Sequence, residues 1–120
     1  RIPKNANLYD KSVKTIFICN VRNPNLEVGS KNIIFEEINF DKKIAEQICA
    51  VLQKHSIQSV IIEGGTQTLQ TFIDANLWDE AMVFTGDNSF ENGIKAPVLS
   101  AKNKTTKNIK NDLLKIYTND

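Results

Sequence analysis

Residues 59–84 read SVIIEGGTQTLQTFIDANLWDEAMVF. A β-branched run, Val60 to Ile62, ends on the carboxylate of Glu63. Two glycines follow, then a threonine-rich stretch carrying Leu69, Phe72 and Ile73 at helical spacing, then a second apolar run. The pattern predicts a strand over 59–63, a helix over 66–76 and a strand over 79–85. The chain has only five glycines, so an adjacent pair between strand and helix asks for a reason. Glycine adopts backbone angles closed to other residues and lets a ligand come close to the main chain. In an open α/β sheet, ligands gather at the carboxyl ends of strands. A helix that opens there presents unpaired N–H groups, here from Thr66 to Leu69, together with positive dipole charge. Thr66, Thr68 and Thr71 add hydroxyls, so the turn has the donors for a phosphate-sized anion. It is neither a Walker loop nor GxGxxG, and spacing alone equally allows an ordinary glycine turn with a threonine cap. Glu63 likewise suits either the donors of a heterocyclic ligand or a solvated sheet edge. Trp78-Asp79-Glu80 reads as a core-closing Trp followed by solvated acids.

Working outward, "TIFICN" (15–20) is a short buried strand and "NIIFEEI" (32–38) a second. "DKKIAEQICAVLQKHS" (41–56) is the clearest helix, with Ile44, Ile48, Val51 and Leu52 on one face. Asp41 is its expected N-cap, and Lys54 and His55 suit the negative end of its dipole. Residues 1–14 read as a connecting segment, 21–31 as turn chemistry and 86–106 as a long loop. A last half-exposed strand is expected over 112–118. The order β, β, α, β, α, β, loop, β predicts an α/β sheet, parallel in part, with the helices as crossovers.

The 120 residues fit one domain, and the formal net charge of +1 gives no electrostatic reason to expect nucleic acid or an anionic membrane as partner. The longest apolar runs, four or five residues, are far short of a membrane span. Cys19 and Cys49 lie inside apolar patterns and read as free thiols of a cytoplasmic protein. His55 is the only histidine, so no metal site is expected. The chain opens on Arg-Ile-Pro-Lys-Asn, without a secretory signal and without Met. That start suggests a piece of a longer protein.

Residues 60–84 resemble the signature of the reductase domain of the bifunctional riboflavin-biosynthesis deaminase/reductase. The shared pattern is an apolar strand, Glu-Gly-Gly, a helix with Leu and Phe, then Leu-x-Asp-Glu and a strand. "RIPKNANLYDKSVKTIFIC" and "GIKAPVLS" (93–100) are similar to other parts of that domain, so the resemblance covers nearly the whole chain. It implies a dihydrofolate-reductase-like fold, a mixed and partly parallel sheet flanked by helices. It implies NADPH-dependent reduction of a phosphorylated ribosylaminouracil, 5-amino-6-(5-phosphoribosylamino)uracil, to the ribitylamino product. Glu63 matches the carboxylate that contacts the uracil-type ring. Gly64, Gly65, Thr66, Gln67, Thr68, Leu69, Gln70 and Thr71 match the turn and helix start that hold NADP phosphates, and Gly64–Gly65 matches a bond that is often cis in such folds. Asn20 and Arg22 fall where groups near the adenosine 2′-phosphate stand.

No residue is nominated as a catalytic acid or base. The zinc deaminase signature (H-x-E with P-C-x-x-C) has no counterpart here, nor does the front of the reductase domain. The resemblance therefore implies that residues 1–120 are the C-terminal portion of a single reductase domain, inactive alone, in a protein that forms homo-oligomers. Two other readings share the architecture: a non-enzymatic nucleotide-binding or assembly module, and a dihydrofolate-reductase-like enzyme acting on another pterin- or pyrimidine-type substrate.

Overall fold

A computed structural model describes residues 6–21, 31–89 and 91–119. They divide into two units, Arg1–Gln58 and Ser59–Asp120.

In the first unit, β1 (Thr15–Cys19) and β2 (Ile33–Glu37) pair in parallel, with Thr15 opposite Ile33 and Cys19 opposite Glu37. Thr15 to Ile18 of β1 and Ile33 to Phe35 of β2 are β-branched and aromatic, which suits a pleated, half-buried surface. The register sets Phe17 beside Phe35, and their rings stack at 5.1 Å. Tyr9, from a single 3-10 turn at Asn7–Tyr9, stacks on Phe17 at 5.0 Å. Stacked pairs of this kind add about 0.5–1.5 kcal/mol beyond the area they bury. Among the described residues of this unit, Ile33, Ile38, Ala45 and Val51 are buried.

The helix α1 spans Ile44–Lys54, shorter at both ends than the expected 41–56. Asp41 is not its N-cap. That position is Lys43, which has no side-chain acceptor to offer, and the Asp41 N–H donates to Asn39 Oδ1 at 2.8 Å. Gln47 does the fastening instead. Its Nε2 donates to the carbonyls of Asn39 (2.9 Å) and Lys43 (3.1 Å), and its Oε1 accepts from the Asn39 N–H (2.9 Å). One side chain thus ties the first turn of the helix to the chain leaving β2, much as the glutamine of a capping box does.

At the other end, Glu36 of β2 holds two groups of α1. Lys54 Nζ lies 2.8 Å from Oε2, and His55 Nε2 lies 2.6 Å from Oε1. The hydrogen bond from Lys54, followed by that from His55, holds the Glu36 carboxyl below its ordinary value of 4.5. A depressed carboxylate stabilises the fold above its unfolded value, and that contribution disappears as pH falls through the folded one. Glu36→Gln is therefore expected to cost about 1–2 kcal/mol at neutral pH, a charge-assisted bond discounted for the exposure of Lys54. The gap between variant and wild type should close below the ordinary glutamate value, as read by urea unfolding across pH. A gap that stays constant down to acid would disprove the anchor.

In the second unit, α2 (Thr66–Asp74) precedes β3 (Glu80–Thr85), β4 (Asn103–Ile109) and β5 (Asp112–Thr118). The three strands are antiparallel in the order β3-β5-β4. β5 is central, and Leu114, opposite Phe84 and Lys107, is its buried residue. α2 ends two residues before the expected boundary, where Asn76 turns left-handed at φ 54. The Asn119 N–H donates to Asp79 O, and its Nδ2 donates to Trp78 O at 2.8 Å, pinning the end of β5 to the turn between α2 and β3.

Two further expectations change. The loop expected over 86–106 stops at 102, because residues 103–109 form β4. Its sequence, NKTTKNI, is almost wholly polar, so no apolar alternation announces it. It is held by backbone pairing to β5 through a two-residue turn in which Lys110 is left-handed, at φ 54. The stretch 59–63 is not a strand: it joins no ladder among the described residues. Val60 and Ile61 are 51% and 84% exposed. Strand propensity is realised only against a neighbouring strand, and none of β3, β4 and β5 in its own unit pairs with it. The architecture is mixed α/β: a parallel pair, a three-stranded antiparallel sheet and two helices.

Candidate functional site: the glycine turn that opens α2

The turn is built by its glycines in two different ways. Gly64 has φ 141, in the region that side chains rarely adopt, so the backbone conformation itself calls for glycine. Gly65 is the N-cap, with φ −73 and ψ 164, angles open to any residue. A Cβ placed on it meets nothing within 4 Å. The fold's own reason for a glycine at 65 is the N-cap position, where glycine is preferred to residues without a side-chain acceptor, and the missing side chain leaves open space at the mouth of the helix. The Gly64–Gly65 peptide is trans.

No side chain caps α2. The Leu69 N–H makes the first intrahelical bond, to Gly65 O, so Leu69 is not among the free donors expected over 66–69. The N–H groups of Thr66, Gln67 and Thr68 remain directed out of the helix, with the positive end of its dipole. The hydroxyls divide. Thr71 Oγ1 donates back to Gln67 O at 2.8 Å, one turn down its own helix. Thr66 Oγ1 donates to Lys95 O at 2.6 Å. Thr68 lies beside Gly64, its Cβ and Oγ1 each 3.9 Å from the position of an added Cβ. Gln70 faces the 95–98 segment: Oε1 accepts from the Val98 N–H at 2.8 Å, and Nε2 donates to Val98 O at 3.2 Å and to Asp74 Oδ1 at 2.7 Å. Glu63, exposed, immediately precedes the turn, and none of the described residues forms a salt bridge with it.

Of the other expected residues, only Asn20 is described, and it belongs to the first unit. Asn20 follows β1 in the first unit and lines a shallow depression of about 410 Å³ with Glu37, Asn39, Asp41 and Gln47. It sits at the carboxyl ends of a parallel pair, where ligands are expected. Two carboxylates line it, which favours hydroxyl or amine donors over a phosphate. Arg22, the expected partner of the 2′-phosphate, lies outside the described residues.

The attachment of 95–98 to α2 was not legible beforehand, because Thr66 and Gln70 read as ligand donors. Their spacing of one helical turn was the available signal. Among the described residues there is no cluster of His, Cys, Asp and Glu suited to a metal ion, and no helix is long and apolar enough to cross a membrane. No known protein family matches the chain, and no curated protein matches it at a significant level.

Proposed function

We propose that this chain is the C-terminal part of a riboflavin-pathway reductase with a dihydrofolate-reductase-like fold, and that its glycine turn holds a phosphate of NADPH. The observation that carries the reading is the pairing of Gly65, whose Cβ position is empty, with a helix start that no side chain caps. Thr66, Gln67 and Thr68 would hold the phosphate through their N–H groups, with Gly65 giving it room. Bound there, NADPH would supply hydride for reduction of the ribosylamino group of the aminouracil. Glu63, beside the turn, accepts hydrogen bonds from N–H groups of the substrate ring. No side chain is assigned a proton to carry, and the task of these residues is to bind, orient and exclude water.

The exposed apolar side chains of β3, Met82 and Phe84, favour a second reading, a non-enzymatic assembly module.

Titration of the full-length protein with NADPH separates the two. Saturable binding, with Glu63→Ala raising KM for the aminouracil roughly tenfold and leaving NADPH affinity unchanged, is the expected outcome for one lost charge-assisted contact. The absence of saturable NADPH binding would replace the reductase by the assembly module.

A further inference from the structure

The long loop after β3 returns to α2 at one place. Lys95 O accepts from Thr66 Oγ1 at 2.6 Å, and Val98 is held through both its N–H and its C=O by the Gln70 amide, at 2.8 and 3.2 Å. Thr66 and Gln70 stand four residues apart on α2, so they share one face of the helix. Lys95 and Val98 are three apart in the loop, and the two spacings match well enough for both ends of the segment to be gripped at once. Asp74, a further turn along, accepts from Gln70 Nε2 at 2.7 Å. That bond fixes which end of the amide is nitrogen and so leaves Oε1 facing the Val98 N–H. The segment itself is exposed at Lys95, Ala96 and Val98, with Pro97 half-buried. No backbone ladder holds it. Its attachment is carried by side chains of one helix gripping main chain.

We infer that residues 95–98 are a latched strap, held closed over the first two turns of α2 by Thr66 and Gln70 acting together. Pro97 lacks an N–H and restricts its own backbone and that of Ala96. The strap therefore comes off as a unit rather than unzipping residue by residue. Opening it uncovers the face of α2 that leads to the glycine turn and returns the Thr66 hydroxyl to solvent. The latch holds whether or not the turn binds NADPH, so it goes beyond the functional reading.

Amide hydrogen exchange of the full chain tests it, with Val98 as the reporter and Phe72, within α2, as the control. In the wild type the Val98 amide should exchange well below the rate of an unstructured chain. Gln70→Ala should raise its rate at least tenfold. Thr66→Val, which removes only the bond to Lys95, should also raise it severalfold, because the two anchors close one strap. Thr66→Ser, which keeps the hydroxyl, should restore the wild-type rate. The Phe72 amide should not change in any variant. The latch is overturned by an unprotected Val98 in the wild type, by a Val98 rate indifferent to Gln70→Ala or Thr66→Val, or by equal acceleration at Phe72, which would make the effect a loosening of the whole helix.

Discussion

Gly65→Val is expected to cost the full-length protein about 0.5–1 kcal/mol, the loss of a favourable N-cap residue without a clash. Its φ and ψ of −73 and 164 are ordinary for a β-branched residue, and a Cβ there meets no atom within 4 Å. On the proposed reading the same change should weaken NADPH binding roughly 100-fold, because an isopropyl group in front of the helix start would deny a phosphate two or three charge-assisted bonds. Gly64→Val should behave in the opposite way. At φ 141 the strain costs about 1–3 kcal/mol, so unfolding is the first loss and weaker binding follows from it. Thermal unfolding and NADPH titration of the two variants decide the matter. Unchanged NADPH affinity in Gly65→Val would remove the phosphate from this turn, and a poorly folded Gly65→Val would mean that the glycine serves the fold.

What the sequence foretold follows from which forces are local. β1, β2 and β5 were legible because their side chains alternate or cluster in ways that only a strand buries, and α1 because Ile44, Ile48, Val51 and Leu52 keep one face. Asp41 was misjudged because capping depends on where the chain enters the helix, and that is set by Gln47 gripping Asn39. β4 was hidden because its pairing is pure backbone geometry beneath polar side chains. Residues 59–63 show the converse: strong propensity without a partner yields no strand. At the site, the two glycines were legible as a pair but not as individuals. One is demanded by its φ and the other is favoured only as an N-cap, a distinction that needs backbone angles. The double duty of Thr66 and Gln70 was equally out of reach, because a partner 28 or 29 residues away leaves no local trace.

Phe72→Ala should have the largest effect on stability, about 3 kcal/mol, as for other buried phenylalanines. Phe72 is 5% exposed and is the only residue of α2 buried to that degree. Leu69 and Ile73 beside it are half-buried. A helix of nine residues is not stable in water by propensity alone and must be held by its apolar face. Loss of that one ring therefore removes most of what keeps α2 helical. The consequence reaches past stability. The N–H groups of Thr66, Gln67 and Thr68 point together only while the first turn exists, and Thr66 and Gln70 grip the 95–98 segment only while they share a face. Phe72→Ala should thus lower the urea midpoint, free the Val98 amide and weaken NADPH binding together. Phe72→Leu, which keeps most of the volume, should cost about 1 kcal/mol and leave the other two nearly intact. A loss below about 1 kcal/mol in Phe72→Ala, small for a buried ring, would mean that something other than this apolar face holds α2. The glycine turn would then have to be ordered from outside the helix it opens.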